Sequence, residues 1–93
     1  MYADGVRALG IDYGERRIGL ALSDATGLLA RPWKAIRGAG SPAAAAAVLR
    51  AEVAALQRED DGLGAIVIGL PRRLSGEATH QTGAVSELAD RLR

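Results

Sequence analysis

The stretch LGIDYGERRIGLALSD, Leu9 to Asp24, places together residue types that phosphate and metal chemistry draws on. An apolar run ends on a carboxylate, Asp12, turns through Gly14, and passes Arg16 and Arg17 before a second apolar run opens at Ile18. An aspartate at the end of a buried strand is costly unless it is hydrogen-bonded, metal-bound or solvated at a rim. One reading makes Asp12 a ligand for a cation or an organiser of phosphate. Gly14 supports it, because a glycine lets backbone approach such a ligand closely. The plainer reading makes Asp12 a turn residue that accepts backbone N–H bonds from Gly14 or Glu15. Position alone leaves both open.

A second basic pair, Arg72 and Arg73, follows Leu70-Pro71. Arg16, Arg17, Arg72 and Arg73 fall on two loops expected to flank Asp12, where guanidinium groups would position a phosphate backbone; the alternative is a set of solvated turn residues. Ser75 and Thr79 read as turn and cap residues, and His80 as an exposed first-turn residue. A Ser–His pair would still need an orienting acid and an oxyanion hole. Trp33 could stack on a base, or serve as core or edge cover. Glu15, in the turn, reads as solvated.

The elements that must hold these residues follow from periodicity. Val6 to Asp12 reads as a strand, and so does Ile18 to Ser23, with Ile18, Leu20 and Leu22 on one face. The five residues between them fit a hairpin. Leu28 to Ile36 reads as a weaker strand, placed at an edge or at its own start by Pro32. Ser41 and Pro42 then open a helix as N-cap and first residue, with a stripe of Val48, Leu49, Val53 and Leu56 running to about Arg58. Ala65 to Pro71 is a continuous apolar run, the pattern of a parallel strand buried on both faces. A polar loop pivoting on Gly76 leads to a second helix from Thr79, with Val85, Leu88, Ala89 and Leu92 on one face. The order β-β-β-α-β-α implies an α/β fold with a mixed sheet. Asp12 and the loop after Pro71 would then share the carboxyl end of adjacent parallel strands, where open α/β sheets bind ligands.

Composition sets wider bounds. The 93 residues suffice for one domain, and 48% are hydrophobic, but Phe is absent and aromatics make up 3%, so the core is expected to be Ala, Val, Leu and Ile. There is no cysteine, hence no disulfide or thiolate chemistry. No apolar run approaches the ~20 residues of a membrane span. Met1 to Gly5 lacks the basic and apolar regions of a signal peptide, so a cytoplasmic location is expected. The net charge of +1 says little about partners, although 11 of the 12 basic residues are Arg. That excess favours phosphate ligands, and an Ala- and Gly-rich coding bias would also produce it.

ALGIDYGERRIGLALSD and IVIGLPRRLSGEATHQTGAVSELADRL, in this order and spacing, resemble the YqgF/RuvX family. The resemblance covers essentially the whole chain. It implies a ribonuclease-H-like fold and a metal-dependent nuclease, acting on the 5′ end of pre-16S ribosomal RNA or on Holliday junctions. Asp12 would be the catalytic, metal-binding carboxylate for Mg²⁺ or Mn²⁺, and Gly14, Gly69, Pro71 and Gly76 would be structural loop positions. The partner implied is structured RNA or branched DNA, not a membrane. Family members carry a further strand and helix that supply more carboxylates, and nothing here matches them. Residues 1–93 therefore read as one partial ribonuclease-H-like domain, expected to be inactive or nearly so alone. The strand at 65–71 would be an open edge, suited to self-association. Two rivals remain at this point. One is the phosphate loop of a sugar kinase, actin or Hsp70-type ATPase, which also reads strand, D-x-G, strand. The other is a non-catalytic nucleic-acid-binding relative.

Overall fold

The computed structural model describes residues 6–14, 16–26, 29–69 and 81–93. Six elements follow one another: β1 (Ala8–Tyr13), β2 (Arg17–Ser23), β3 (Ala30–Arg37), α1 (Pro42–Gln57), β4 (Ala65–Ile68) and α2 (Gln81–Leu92). The strands form one sheet in the order β3-β2-β1-β4, with β1 antiparallel to β2 and parallel to β4. This is the expected α/β order, and its mixed sheet has a ribonuclease-H-like topology. No helix among the described residues is long and apolar enough to cross a membrane.

The sheet is two-faced because its side chains alternate. Leu9, Ile11, Ile18 and Leu20 are buried on one face, where they join Ala45, Ala46, Leu49 and Leu56 of α1 and Leu88 of α2 in a single core. Residues in between, including Gly10, Asp12, Gly19 and Ala21, lie on the other face by register. Helix α1 carries the chain from the β3 edge to the β4 edge. It begins where the sequence indicated: Ser41 Oγ accepts from the Ala44 amide at 3.1 Å, with Pro42 in the first helical turn.

Two expectations are corrected here. Val48 was expected in the buried stripe but is 41% exposed; Ala45 and Ala46 take its place. Once Leu49 points at the sheet, the residues three and four before it share its face, and Val48 is turned about 100° away. The run from Ala65 was expected to be buried on both faces, yet Val67 is 61% exposed. It belongs to the edge strand of the described sheet, and no described layer covers that face. The regular strand ends at Ile68, and Leu70 and Pro71 lie outside the described residues.

A buried arginine, which sequence reasoning did not single out, ties the layers together. Arg7 is 8% exposed. Its Nε donates to the Gly62 carbonyl at 2.8 Å, one terminal nitrogen to Glu59 Oε1 at 3.0 Å, and the other to the Leu56 carbonyl at 3.3 Å. It thereby adds a second donor, beside the Glu59 amide, to a carbonyl at the end of α1, where helix carbonyls lack intrahelical partners. The Arg7 carbonyl in turn accepts from the Gly64 amide at 2.9 Å. Gly62, at φ +62°, allows the turn between helix and strand. Removing the guanidinium takes the side-chain donor from the Gly62 carbonyl and from Glu59, while the Leu56 carbonyl keeps the Glu59 amide at 3.1 Å, so Arg7→Ala should lower unfolding free energy by about 1–3 kcal/mol in chemical denaturation. Lysine cannot reproduce the planar fork, and Arg7→Lys should recover only part of the loss. A change below about 0.5 kcal/mol for Arg7→Ala would contradict this role.

Candidate functional site

Asp12 sits at the carboxyl end of β1, exposed, on the sheet face without helices. Its cross-strand neighbour is Gly19, where an added Cβ would come within 3.7 Å of the Asp12 Cβ. On the other side, β4 pairs Ile68 with Ile11, and the Gly69 amide donates to the Ile11 carbonyl at 3.1 Å. Asp12 and the end of β4 are therefore at the same end of adjacent parallel strands, as anticipated. Glycines on both flanks leave the carboxylate uncovered, beside a shallow depression of about 700 Å³ walled by Gly10, Ala21, Trp33, Ala35 and Val67.

The turn reading of Asp12 fails for Gly14. The Gly14 amide donates to the Arg17 carbonyl at 3.0 Å and not to the aspartate. A Cβ on Gly14 would lie 2.6 Å from that carbonyl oxygen, so the close hairpin requires glycine. No described residue donates a hydrogen bond to the Asp12 side chain. Glu15 lies outside the described residues. The next residue along β1 shows how sharply the two faces differ. Tyr13 alternates to the helix side, where burial first and the Glu87 carboxylate second push its phenol above the ordinary tyrosine value.

Of the four arginines expected around the site, Arg16 and Arg17 are described and both are exposed. The Arg16 carbonyl accepts from the Gly38 amide at 2.9 Å, which ties the β1–β2 hairpin to the end of β3. Arg17 lies two residues from Gly19 and so on the face of Asp12, on a diagonal of about 7–8 Å. Arg72, Arg73, Pro71 and Gly76 lie outside the described residues, as do Ser75, Thr79 and His80.

Sequence reasoning missed Arg37. It pairs directly with Arg17 across β2 and β3, which puts a second exposed guanidinium on the same face. Two like charges directly opposite one another are unfavourable, and an anion between them removes the penalty. Neither makes an ion pair among the described residues. The register explains the oversight. Counting from the β2–β3 turn pairs Leu22 with Arg31 and Ala21 with Pro32, and a regular ladder would then set Ile36 opposite Arg17. A shift between Leu20 and Ala21 pairs Leu20 with Lys34 instead and leaves Trp33 as the extra residue of a bulge. The shift sends Ile36 toward the core and Arg37 to the face of Asp12. It also directs Lys34 to the helix side, where Nζ meets Glu52 Oε1 of α1 at 3.0 Å.

Among the described residues, no group of three or more His, Cys, Asp or Glu comes together to hold a metal ion. Asp24 is at the other end of β2, where its Oδ1 accepts from the Thr26 amide and hydroxyl at 3.1 and 2.6 Å. Asp60 and Asp61 lie between α1 and β4, at the opposite end of the sheet from Asp12. Asp12 fits one ligand of a largely hydrated Mg²⁺ or Mn²⁺ ion and does not by itself fit a two-ion site.

Comparison with known proteins identifies the family. The family described as "RuvX: Holliday junction resolvase" matches residues 6–93. A protein of Nocardioides sp. is 44% identical over 91 residues, spanning 95% of this chain and 54% of its own length. One from Roseiflexus sp. is 38% identical over 93 residues, spanning 100% of this chain and 62% of its own length. A third, from Rubrobacter xylanophilus, is 38% identical over 87 residues, or 94% and 56% of the two chains. All three bear the name "Putative pre-16S rRNA nuclease". The chain spans little more than half the length of these relatives. With the match running from Val6 to Arg93, and the strand-end aspartate and its glycines assembled as described, the chain belongs to the RuvX family of nucleases.

Proposed function

We propose that this chain supplies the first-strand carboxylate and part of the phosphate-holding surface of a divalent-metal-dependent nuclease that cleaves structured RNA at the 5′ end of pre-16S ribosomal RNA. The observation that carries this reading is the pairing on one open face of an uncovered carboxylate, Asp12, with a cross-strand arginine pair, Arg17 and Arg37. Phosphodiester hydrolysis needs both: oxygen ligands for a cation, and guanidinium groups that fix the backbone without reading sequence. The relatives' names favour the RNA substrate, and the family's description favours branched DNA as the second reading. The family assignment sets aside the ATPase reading of D-x-G, leaving a non-catalytic nucleic-acid-binding relative as the rival.

Bound divalent ions would supply water activation and stabilisation of the leaving oxygen. The chain's own part is narrower. Asp12 offers one carboxylate at a rim open to solvent, and the glycines beside it leave room for a phosphodiester. Arg17, about 7–8 Å away on the diagonal, and Arg37, one strand farther, hold the strand. Arg16, Arg72 and Arg73 would extend the basic border. One carboxylate is too few for a two-ion site, so these 93 residues alone should bind RNA and cut it slowly or not at all.

Two outcomes test this. In the protein that carries this sequence, Asp12→Asn should reduce metal-dependent cleavage of a 16S precursor RNA by on the order of 100-fold or more, since losing even an outer partner of a metal ligand costs about 10- to 100-fold. Metal-free binding of that RNA should not weaken. Cleavage unaffected by the substitution would remove Asp12 from the site, and binding without cleavage in the unaltered protein would favour the non-catalytic rival. For the arginines, Arg17→Gln with Arg37→Gln should lower the slope of log affinity against log salt by about 1.4 for single-stranded RNA, roughly 0.7 per phosphate contact. An unchanged slope would show that the pair holds no phosphate.

A further inference from the structure

The face that bears Asp12, Arg17 and Arg37 has a third feature that the cleavage reading does not use. Aromatic residues are scarce in this chain: one Trp, two Tyr and no Phe. Tyr13 points to the helix side, so Trp33 is the one aromatic residue among those described that borders the open face. It is the extra residue of the β3 bulge, half-buried and packed against the core cluster. Its indole walls the depression beside Asp12, and also a neighbouring hollow of about 440 Å³ that Leu22, Asp24 and Arg31 help to line.

The indole N–H has no acceptor among the described residues, yet no buried side-chain nitrogen or oxygen lacks a partner. Its polar edge is therefore in solvent. Lys34 Nζ lies 4.4 Å from the ring centroid while held by Glu52, which fixes a cation against the ring. From the register, Trp33 lies two strands across and about two residues along from Asp12, or roughly 12 Å. That distance is the reach of about four nucleotides of one strand at duplex spacing.

We propose that Trp33 is a stacking platform for an unpaired base of the nucleic-acid strand whose phosphates rest on Arg17 and Arg37. This inference rests on the nuclease reading for its ligand class, single-stranded RNA or DNA, and adds to it a position that selects strands with unpaired bases. Charge complementarity argues for this occupant: Arg17 and Arg37 lie exposed on the open face about four residues along β3 from Trp33, Arg31 helps to line the neighbouring hollow, and stacking on an aromatic ring tolerates any base. A protein segment docked in the depression would have to cover those guanidinium groups.

The single tryptophan makes the test direct, because all indole emission comes from Trp33. The chain would be titrated with a twelve-nucleotide oligoadenylate RNA, a blunt RNA duplex of the same length, and inorganic polyphosphate, following tryptophan emission. Anisotropy of a labelled RNA would report binding in parallel. The expected result is saturable quenching by the single strand and none by polyphosphate. Trp33→Ala should weaken single-strand binding about 5- to 100-fold and duplex binding less than about 2-fold. Trp33→Phe, which keeps a ring, should retain part of the affinity and guards against loss of folding in the alanine variant. Binding seen by anisotropy with unchanged emission and unchanged affinity in Trp33→Phe and Trp33→Ala would overturn the stacking role and leave the nuclease reading intact. No binding of any nucleic acid would overturn both. Emission that shifts with protein concentration and ignores RNA would assign the ring to a contact between copies of the chain, and would overturn the inference.

Discussion

One extra residue in β3 determines which side chains share a face with Asp12. Without the bulge at Trp33, the ladder that starts at the β2–β3 turn would carry Lys34 to the row of Asp12 and Gly19, and turn Ile36 out to solvent. A lysine there would sit close enough to neutralise the carboxylate, and an isoleucine would be lost from the core. A one-residue slip moves every later side chain to the opposite face. The bulge applies that slip within a single strand. Ile36 reaches the core, Lys34 finds Glu52, and Arg37 joins Arg17 beside an aspartate that no described residue neutralises.

The rest of the fold keeps that face open. Among the described residues, the large buried side chains lie on the helix side, and the site side is lined mainly by glycine and alanine. A face so bare contributes little hydrophobic stabilisation, so α1, α2 and the inner face of the sheet must hold the sheet together. Arg7 joins the start of β1 to the end of α1, which fixes the strand that presents Asp12 relative to the helix layer. Neighbouring residues on β1 then meet opposite environments. Tyr13 is partly buried on the helix side, and Asp12 stands in solvent between glycines.

Much of this was legible in the sequence. Alternation of apolar residues located β1 and β2, Ser41-Pro42 marked the start of α1, and Gly14 marked a hairpin that structure shows to be sterically required. The shared end of β1 and β4 followed from strand order alone. What escaped was set by tertiary geometry. Arg37 became visible only with the bulge, because nothing local distinguishes Trp33 from an ordinary ladder residue. Val48 looked as apolar as Leu49, and only the direction of Leu49 toward the sheet decided which residue was buried. Arg7 read as a strand residue because its three partners lie around 50 positions away. Exposure of Val67 follows from there being no layer over the open face among the described residues, which no run of apolar residues reports.

The central claim is that Asp12 is the carboxylate that receives the metal ion. It is tested most directly by titrating the isotope-labelled chain with substoichiometric Mn²⁺ and following the backbone amide resonances. Paramagnetic broadening should begin at Asp12 and spread first to Gly19 and Gly69, its neighbours on either side. Broadening that begins at Asp60 and Asp61, and spares Asp12, would contradict the account.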